Sequence, residues 1–417
     1  MATGQAPGPL TEDGPAPAPG TGPRTMRVII GSSILSKVAD WQLGIVVPLA
    51  VLAQTDSVAM SLIAISLRGV TYVGSPFLGS LIDRLDKRTV FALSQFQQAL
   101  CLVLLAALLT DRLSVALLLL LSGFGGVVST ITGQFVLIPS LIAAPERPTA
   151  VAKLNSAVEF AKVLGLVLGG VGFSTLGPVA ACAGIAVLYC AAGSVALLLP
   201  RVPAVASGHR GMRRDLAVGF RWLGRREILW LVVTMTLTNL AVGQLERVLV
   251  TTFGHQGVNP GAISVVLAGG LLVGAVGSRL APSVLPSLGP EARILACQLA
   301  AFAGLLLVTT PYLAAQLAGY TLECLAVAVS NVASITHRQE TIPVEVAGRA
   351  NATIRMFITG AVPLSGFLYA AASRFDGFLF WLPALGVWAV AIVIWAVHLR
   401  RVGPAGRAPE GADRGDH

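Results

Sequence analysis

The feature that most constrains this chain is a succession of twelve apolar runs, each of about 20 residues, separated by polar connections. Lipid offers no water to the backbone, so a run of this length must close its own N–H···O=C bonds as a helix. The runs fall at 28–52, 58–81, 89–109, 114–137, 152–174 and 178–199, then at 228–251, 262–284, 293–310, 313–336, 352–372 and 378–398. Charged residues make up only 12% of the chain, against about 25% in a soluble domain. With 55% hydrophobic residues, a soluble enzyme and a largely disordered chain are both excluded. An all-α polytopic membrane protein with twelve transmembrane helices is expected.

The polar segments organise these runs. Residues 1–26 and 401–417 are rich in Pro, Gly and Ala, lack a hydrophobic period, and read as disordered cytoplasmic tails. The first apolar run lacks the short core and small-residue cleavage site of a signal peptide. Arg84, Lys87, Arg88, Arg147, Lys153, Arg293, Arg338 and Arg349 all fall on one side of the expected topology; Arg112 and Arg374 fall on the other. That asymmetry puts both termini in the cytoplasm of a cell membrane. It also accounts for the net charge of +9 without nucleic acid. The longest connection, 200–227, carries Arg201, Arg210, Arg213, Arg214, Arg221, Arg225 and Arg226, with Leu216, Phe220 and Leu223 at helical intervals. It reads as a basic linker, either solvated or an amphipathic helix on the inner leaflet. It separates a six-helix half at 27–199 from another at 228–400. The halves echo each other weakly: 152–170 resembles 348–366, with Asn155 on Asn351, Glu159 on Arg355 and Gly170 on Gly366. Two six-helix repeats around a midplane cavity are a transporter architecture.

The most specific local pattern is GSLIDRLDKR, where Gly79, Leu81, Asp83, Arg84, Lys87 and Arg88 follow the second run. It resembles the loop 2–3 signature of the major facilitator superfamily, with Asp86 in place of a glycine. The resemblance covers about 27–400 and implies the major facilitator fold. Span 1, the stretch AKLNSAVEFAKVLGLVLGG in span 5, and PVEVAGRANATIRMFITGAVPLSG before and within span 11 look like the bacterial branch that exports macrolides and enterobactin. Two departures bear on mechanism. The antiporter motif of span 5 has Ala161 for its first glycine and Leu166 for its proline, and 114–137 holds no basic residue where the family's span 4 has an arginine.

Ten ionisable residues lie within the runs, away from their terminal residues: Lys37, Asp40, Arg68, Glu159, Lys162, Glu246, Arg247, Arg279, Glu323 and Arg355. Unpaired, they would cost on the order of 25 kcal/mol in total, so they must be paired, hydrated or neutralised. Lys37/Asp40 and Glu159/Lys162 stand three apart, on one helix face each. The resemblance places spans 1, 4, 7 and 10 around the cavity. Asp40, Glu246 and Glu323 are therefore proton-coupling or cavity candidates, and the remaining seven are buried-charge or gating candidates. Arg247 and Arg279 also read as snorkelling residues near span ends. Trp41, Gln42, Gln134, Asn239, Gln244, Tyr320 and Asn331 are possible substrate contacts, with helix packing as the alternative for each.

No Ser/His, His-Glu-x-x-His or phosphate-loop constellation is present, so we expect no enzyme and no ATP-driven pump. Neither a metal-ligand spacing nor a cofactor motif appears, and Cys101, Cys182, Cys190, Cys297 and Cys324 read as small core residues. The expected function is export of a small amphipathic drug or natural product by proton antiport and alternating access, by a monomer contacting membrane lipids. Uptake, or movement of a lipid or metabolite in the same fold, is the alternative. A non-transporting sensor or scaffold is the reading from another class. The composition, with few lysines, suggests a bacterial source and antibiotic resistance as a setting.

Overall fold

The computed structural model describes residues 23–75, 78, 82, 85–202 and 219–402. The tails up to 22 and from 403, the linker stretch 203–218 with Leu216, and Gly79, Leu81, Asp83 and Arg84 of the loop motif lie outside the described residues.

Among the described residues, the regular elements are all helices. The first half contains α1 (Pro23–Thr55), α2 (Val58–Val70, extended by a 3-10 turn, Thr71–Gly74), α3 (Lys87–Ala107), α4 (Arg112–Ile131), α5 (Leu137–Leu141) and α6 (Arg147–Ala196). The second contains α7 (Arg226–Val242), α8 (Leu245–His255), α9 (Pro260–Leu280), α10 (Pro290–Val308), α11 (Leu313–Thr341), α12 (Val344–Ala372) and α13 (Phe378–Val402). Among the described residues, ten helical segments are long and apolar enough to cross a membrane, and Val58–Gly74 is a shorter apolar helix.

The 50-residue α6 makes two passes. Gly177 adopts φ 78°, ψ 174°, which a Cβ would strain, and Pro178 follows with no N–H to continue the ladder. The chain reverses there. Gly165 and Gly169 in the first arm abut Val38 and Gln42 of α1. The Ser32 hydroxyl then donates to the Ala192 carbonyl, 2.8 Å away, so the second arm runs back along α1. With this reversal the passes accord with the twelve expected.

The connections between spans are set by local chemistry. Ser57, Asp86, Asp111 and Asn259 accept from backbone amides at the starts of α2, α3, α4 and α9. Pro260 and Pro290 open α9 and α10, where a missing N–H costs nothing. Asp86, the departure from the loop signature, is thus a helix cap. It also accepts from the Val202 amide at 3.0 Å, while the Val202 carbonyl accepts from the Lys87 amide at 3.0 Å. These bonds tie the start of α3 to the end of α6 on the linker side.

Two breaks within spans were not expected. A π turn, Thr132–Val136, joins α4 to α5, and Gly243–Gln244 separates α7 from α8. Freed backbone groups inside a membrane need protein partners. The Gln244 amide finds the Ser365 hydroxyl of α12 at 3.4 Å.

The outer surface is apolar. Leu113, Leu176 and Val187 are each about two-thirds exposed, as a lipid-facing belt requires. That corrects one sequence expectation. Cys101, Cys182 and Cys297 are buried and Cys324 half-buried, but Cys190 is exposed on the apolar surface. In a membrane protein, apolar neighbours in sequence do not place a residue in the core.

Candidate functional site

The intramembrane charges form three groups. The first is built by α1, α2, α3, α4 and the second arm of α6. Asp40 lies at its centre. Lys37 Nζ donates to Asp40 Oδ2 at 2.8 Å and to Thr130 Oγ1 at 2.9 Å. Arg68 Nη2 donates to Asp40 Oδ1 at 2.6 Å, to Gln98 Oε1 at 2.8 Å and to Tyr189 Oη at 3.0 Å. The Tyr189 hydroxyl itself donates to Asp40 Oδ1 at 2.6 Å. Asp40 therefore faces two cations and a phenol. Its side chain is 13% exposed.

The second group lies where the two halves meet, around Trp41. Lys162 Nζ and the Arg247 guanidinium each sit 5.7 Å from the Trp41 ring, one from each half of the chain. Such contacts contribute on the order of 0.5–2 kcal/mol. Lys162 also pairs with Glu159 at 2.6 Å, on a more exposed face. Arg247 packs against Gly44 of α1.

The third group lies in the second half. The Gly243–Gln244 break puts Glu246 in the first turn of α8. Glu323, on α11, is 6% exposed and lies within electrostatic range of Glu246. Cys324, Tyr320 and Tyr369 surround Glu323. Gly304 of α10 and Gly319 of α11 touch, which brings the α10 backbone against the Glu323 amide. Among the described residues, neither glutamate takes part in an ion pair within 4.0 Å.

Other expected residues are placed as follows. Gln42 is buried against Gly169, Asn239 Nδ2 donates to the Ile358 carbonyl at 2.7 Å, and the Tyr320 hydroxyl donates to the Leu267 carbonyl at 3.3 Å. Gln244 Nε2 donates to Ser66 Oγ across the halves at 3.4 Å. Arg279 ends α9 exposed, and Arg355 and Asn331 are exposed on α12 and α11. The side chain of Gln134 lies outside the described residues. Lys87 is buried and Arg88 donates to the Leu199 carbonyl at 3.2 Å. Tyr189, Gln98 and Thr130 were not singled out from sequence. They are isolated polar side chains on three distant helices, and no spacing links them to Asp40.

Among the described residues, several glycines mark close approaches between the halves. Gly69 and Gly366 abut Pro363 and Ser66, Gly170 abuts Pro260 and Ser264, and Gly254 abuts Leu49 and Leu52. The Gly170 and Gly254 contacts fall in the part of the span remote from residues 200–225, and the Gly69 contact falls near the middle of its span.

The whole arrangement has solved counterparts. The nucleoside transporter NupG superposes with a TM-score of 0.71 at 14% identity, covering 89% of this chain and 98% of that one. A bacterial homologue of the iron transporter ferroportin, in an inward-facing state, gives 0.68 at 16%, covering 90% and 98%. An auto-inhibited POT family peptide transporter gives 0.73 at 14%, covering 91% and 97%. No curated protein matches the sequence. The profile of the Major Facilitator Superfamily matches residues 29–362, most of the chain. The helical passes of the described residues and a family profile spanning both halves lead to one assignment: this chain belongs to the Major Facilitator Superfamily and is a multi-pass membrane transporter of that fold.

Proposed function

We propose that the protein is a proton-driven exporter of a small amphipathic drug or natural product, working by alternating access between its two halves. The observation that carries this reading is the contrast between Asp40 and the Glu246/Glu323 pair. Protonating Asp40 would surrender contacts to Lys37 and Arg68. Protonating Glu323 surrenders no ion pair among the described residues, and it relieves repulsion from a neighbouring carboxylate. A group that can change charge at little structural cost is suited to carry a proton across a rocking transporter. Glu246 sits beside the α7/α8 break and one residue from Arg247, which reaches Trp41 of the other half. Protonation there is therefore linked to the contact between halves.

Export is the direction suggested by the similarity of spans 1, 5 and 11 to efflux proteins. Expression in an efflux-deficient host with a compound panel tests the reading. At least one compound should accumulate less than in the empty-vector control, and a proton uncoupler should restore it. Lower accumulation that the uncoupler leaves unchanged would remove proton coupling. Raised accumulation would point to uptake.

A further inference from the structure

The chain enters its second half through a short docked segment. Residues 219–223 form a helical turn. Trp222 is buried there among Ile228 of α7, Ile342 of the α11/α12 connection, and Ala350 and Ile354 of α12. Burial of so large a ring fixes the segment against the linker-side end of the half. The Arg225 guanidinium lies 3.6 Å from the centre of the Trp222 ring, a cation–π contact that holds it beside the segment.

With Trp222 turned inward, Phe220 and Arg221 are left outside. Phe220 is 47% exposed and meets the edge of Phe357, itself exposed on α12, with 6.1 Å between ring centres. Leu229, whose amide donates to the Arg225 carbonyl at 2.8 Å, is exposed one turn further along α7. Arg225 and Arg226, at the start of α7, are exposed as well. The end of α13 lies beside them: His398 is within electrostatic range of Arg226 and Glu227, and the exposed Arg400 and Arg401 follow it. These five arginines share the linker-side rim with two exposed acids, Glu227 and Glu340. Among the described residues, none of the five forms an ion pair. Exposed apolar side chains set beside uncompensated guanidinium groups match the boundary of a leaflet, where acyl chains meet headgroups.

We propose that this rim is a binding site for an anionic phospholipid of the leaflet on the linker side. Its phosphate sits on Arg221 and Arg225, and its acyl chains run along Phe220, Phe357 and Leu229. A guanidinium offers a planar fork of donors that a phosphate accepts bidentately. The excess positive charge selects an anionic headgroup over a zwitterionic one, whose own cation it repels. The site goes beyond the transport reading and does not rest on it.

Native mass spectrometry of the purified full chain in mild detergent tests this. The probes are phosphatidylglycerol and phosphatidylcholine with the same palmitoyl and oleoyl chains. The first phosphatidylglycerol should bind tighter than the first phosphatidylcholine by about tenfold or more, as two arginines at a leaflet surface imply. Arg221→Gln should weaken phosphatidylglycerol about fivefold and leave phosphatidylcholine unchanged. Joined with Arg225→Gln, it should erase most of the preference. Arg221 is exposed, so Arg221→Gln decides the matter if the double variant does not fold. Arg374→Gln, on the other side of the expected topology, should change neither lipid. The proposal is overturned if wild type binds the two lipids equally, if Arg221→Gln or the folded double variant binds phosphatidylglycerol like wild type, or if Arg374→Gln weakens it as much as Arg221→Gln. No gradient and no transported compound enter the measurement, so its outcome is independent of proton coupling.

Discussion

Two buried acids of this transporter, one in each half, are treated in opposite ways. In the first, Asp40 is held at 2.8 Å by Lys37, at 2.6 Å by Arg68 and at 2.6 Å by the Tyr189 hydroxyl. In the second, Glu323 is equally secluded, yet its charged neighbour is another carboxylate, Glu246. The comparison teaches that depth in the membrane does not by itself define a proton site. What matters is what the charged form would lose on protonation. Asp40 reads as a lock that joins α1, α2 and α6. Glu323 reads as the part able to change.

The largest effect should come from breaking the lock. Asp40→Asn leaves Lys37 and Arg68 without a counter-charge and should cost about 3–5 kcal/mol, the usual penalty for breaking a buried pair. Thermal unfolding of the detergent-purified variant should show a large loss of melting temperature or of folded yield. An Asp40→Asn protein as stable as wild type would end the comparison, because the acid would then be no lock. Next comes the contact between halves. At Gly366 an added Cβ would collide with Ser66 Oγ of the other half. Gly366→Ala should cost about 1–3 kcal/mol as an overpacked contact, read from the same melting curve; an unchanged curve would mean that the halves are not close-packed there.

A smaller effect sharpens the comparison from outside the membrane. Asp86 is a capping acid near the surface. Partial burial alone would raise its carboxyl, but the Thr89 side chain and amide, the Val202 amide and nearby Arg88 hold it below the usual range. Its stabilising contribution is therefore present above the unfolded-state value of about 4 and is lost as pH falls through the lower folded value. Asp86→Ala should cost about 1 kcal/mol near neutral pH. The difference between variant and wild type should shrink in acid, by melting curves across pH. A difference that grows in acid would contradict the capping role.

Much of the fold was legible because its strongest constraint is one-dimensional. An apolar run long enough to cross lipid announces itself, and the spans starting at Val58, Lys87, Pro260 and Pro290 all have caps or prolines visible in sequence. The cost of ten intramembrane charges also showed that Asp40 and Arg68 needed partners. Which partners they have was not legible. Tyr189 lies 149 positions from Asp40, on an arm of α6 that reaches it after the turn at Gly177. The breaks at Thr132–Val136 and Gly243–Gln244 were hidden for another reason. Both lie in stretches whose hydropathy favours an unbroken helix, and tertiary partners such as Ser365 make the interruption tolerable. The neighbour of Arg247, Trp41, was not legible either, because it belongs to the other half.

The division of labour between Asp40 and the glutamates is tested most directly in proteoliposomes containing Glu323→Gln, with a compound identified by the panel. Two fluxes are compared: accumulation driven by an imposed pH gradient, and exchange of labelled for unlabelled compound with no gradient. The account predicts that exchange survives within about twofold while gradient-driven accumulation falls at least tenfold, the equivalent of about 1.4 kcal/mol or more of lost coupling. Gradient-driven accumulation at the wild-type level in Glu323→Gln and in Glu246→Gln would contradict it.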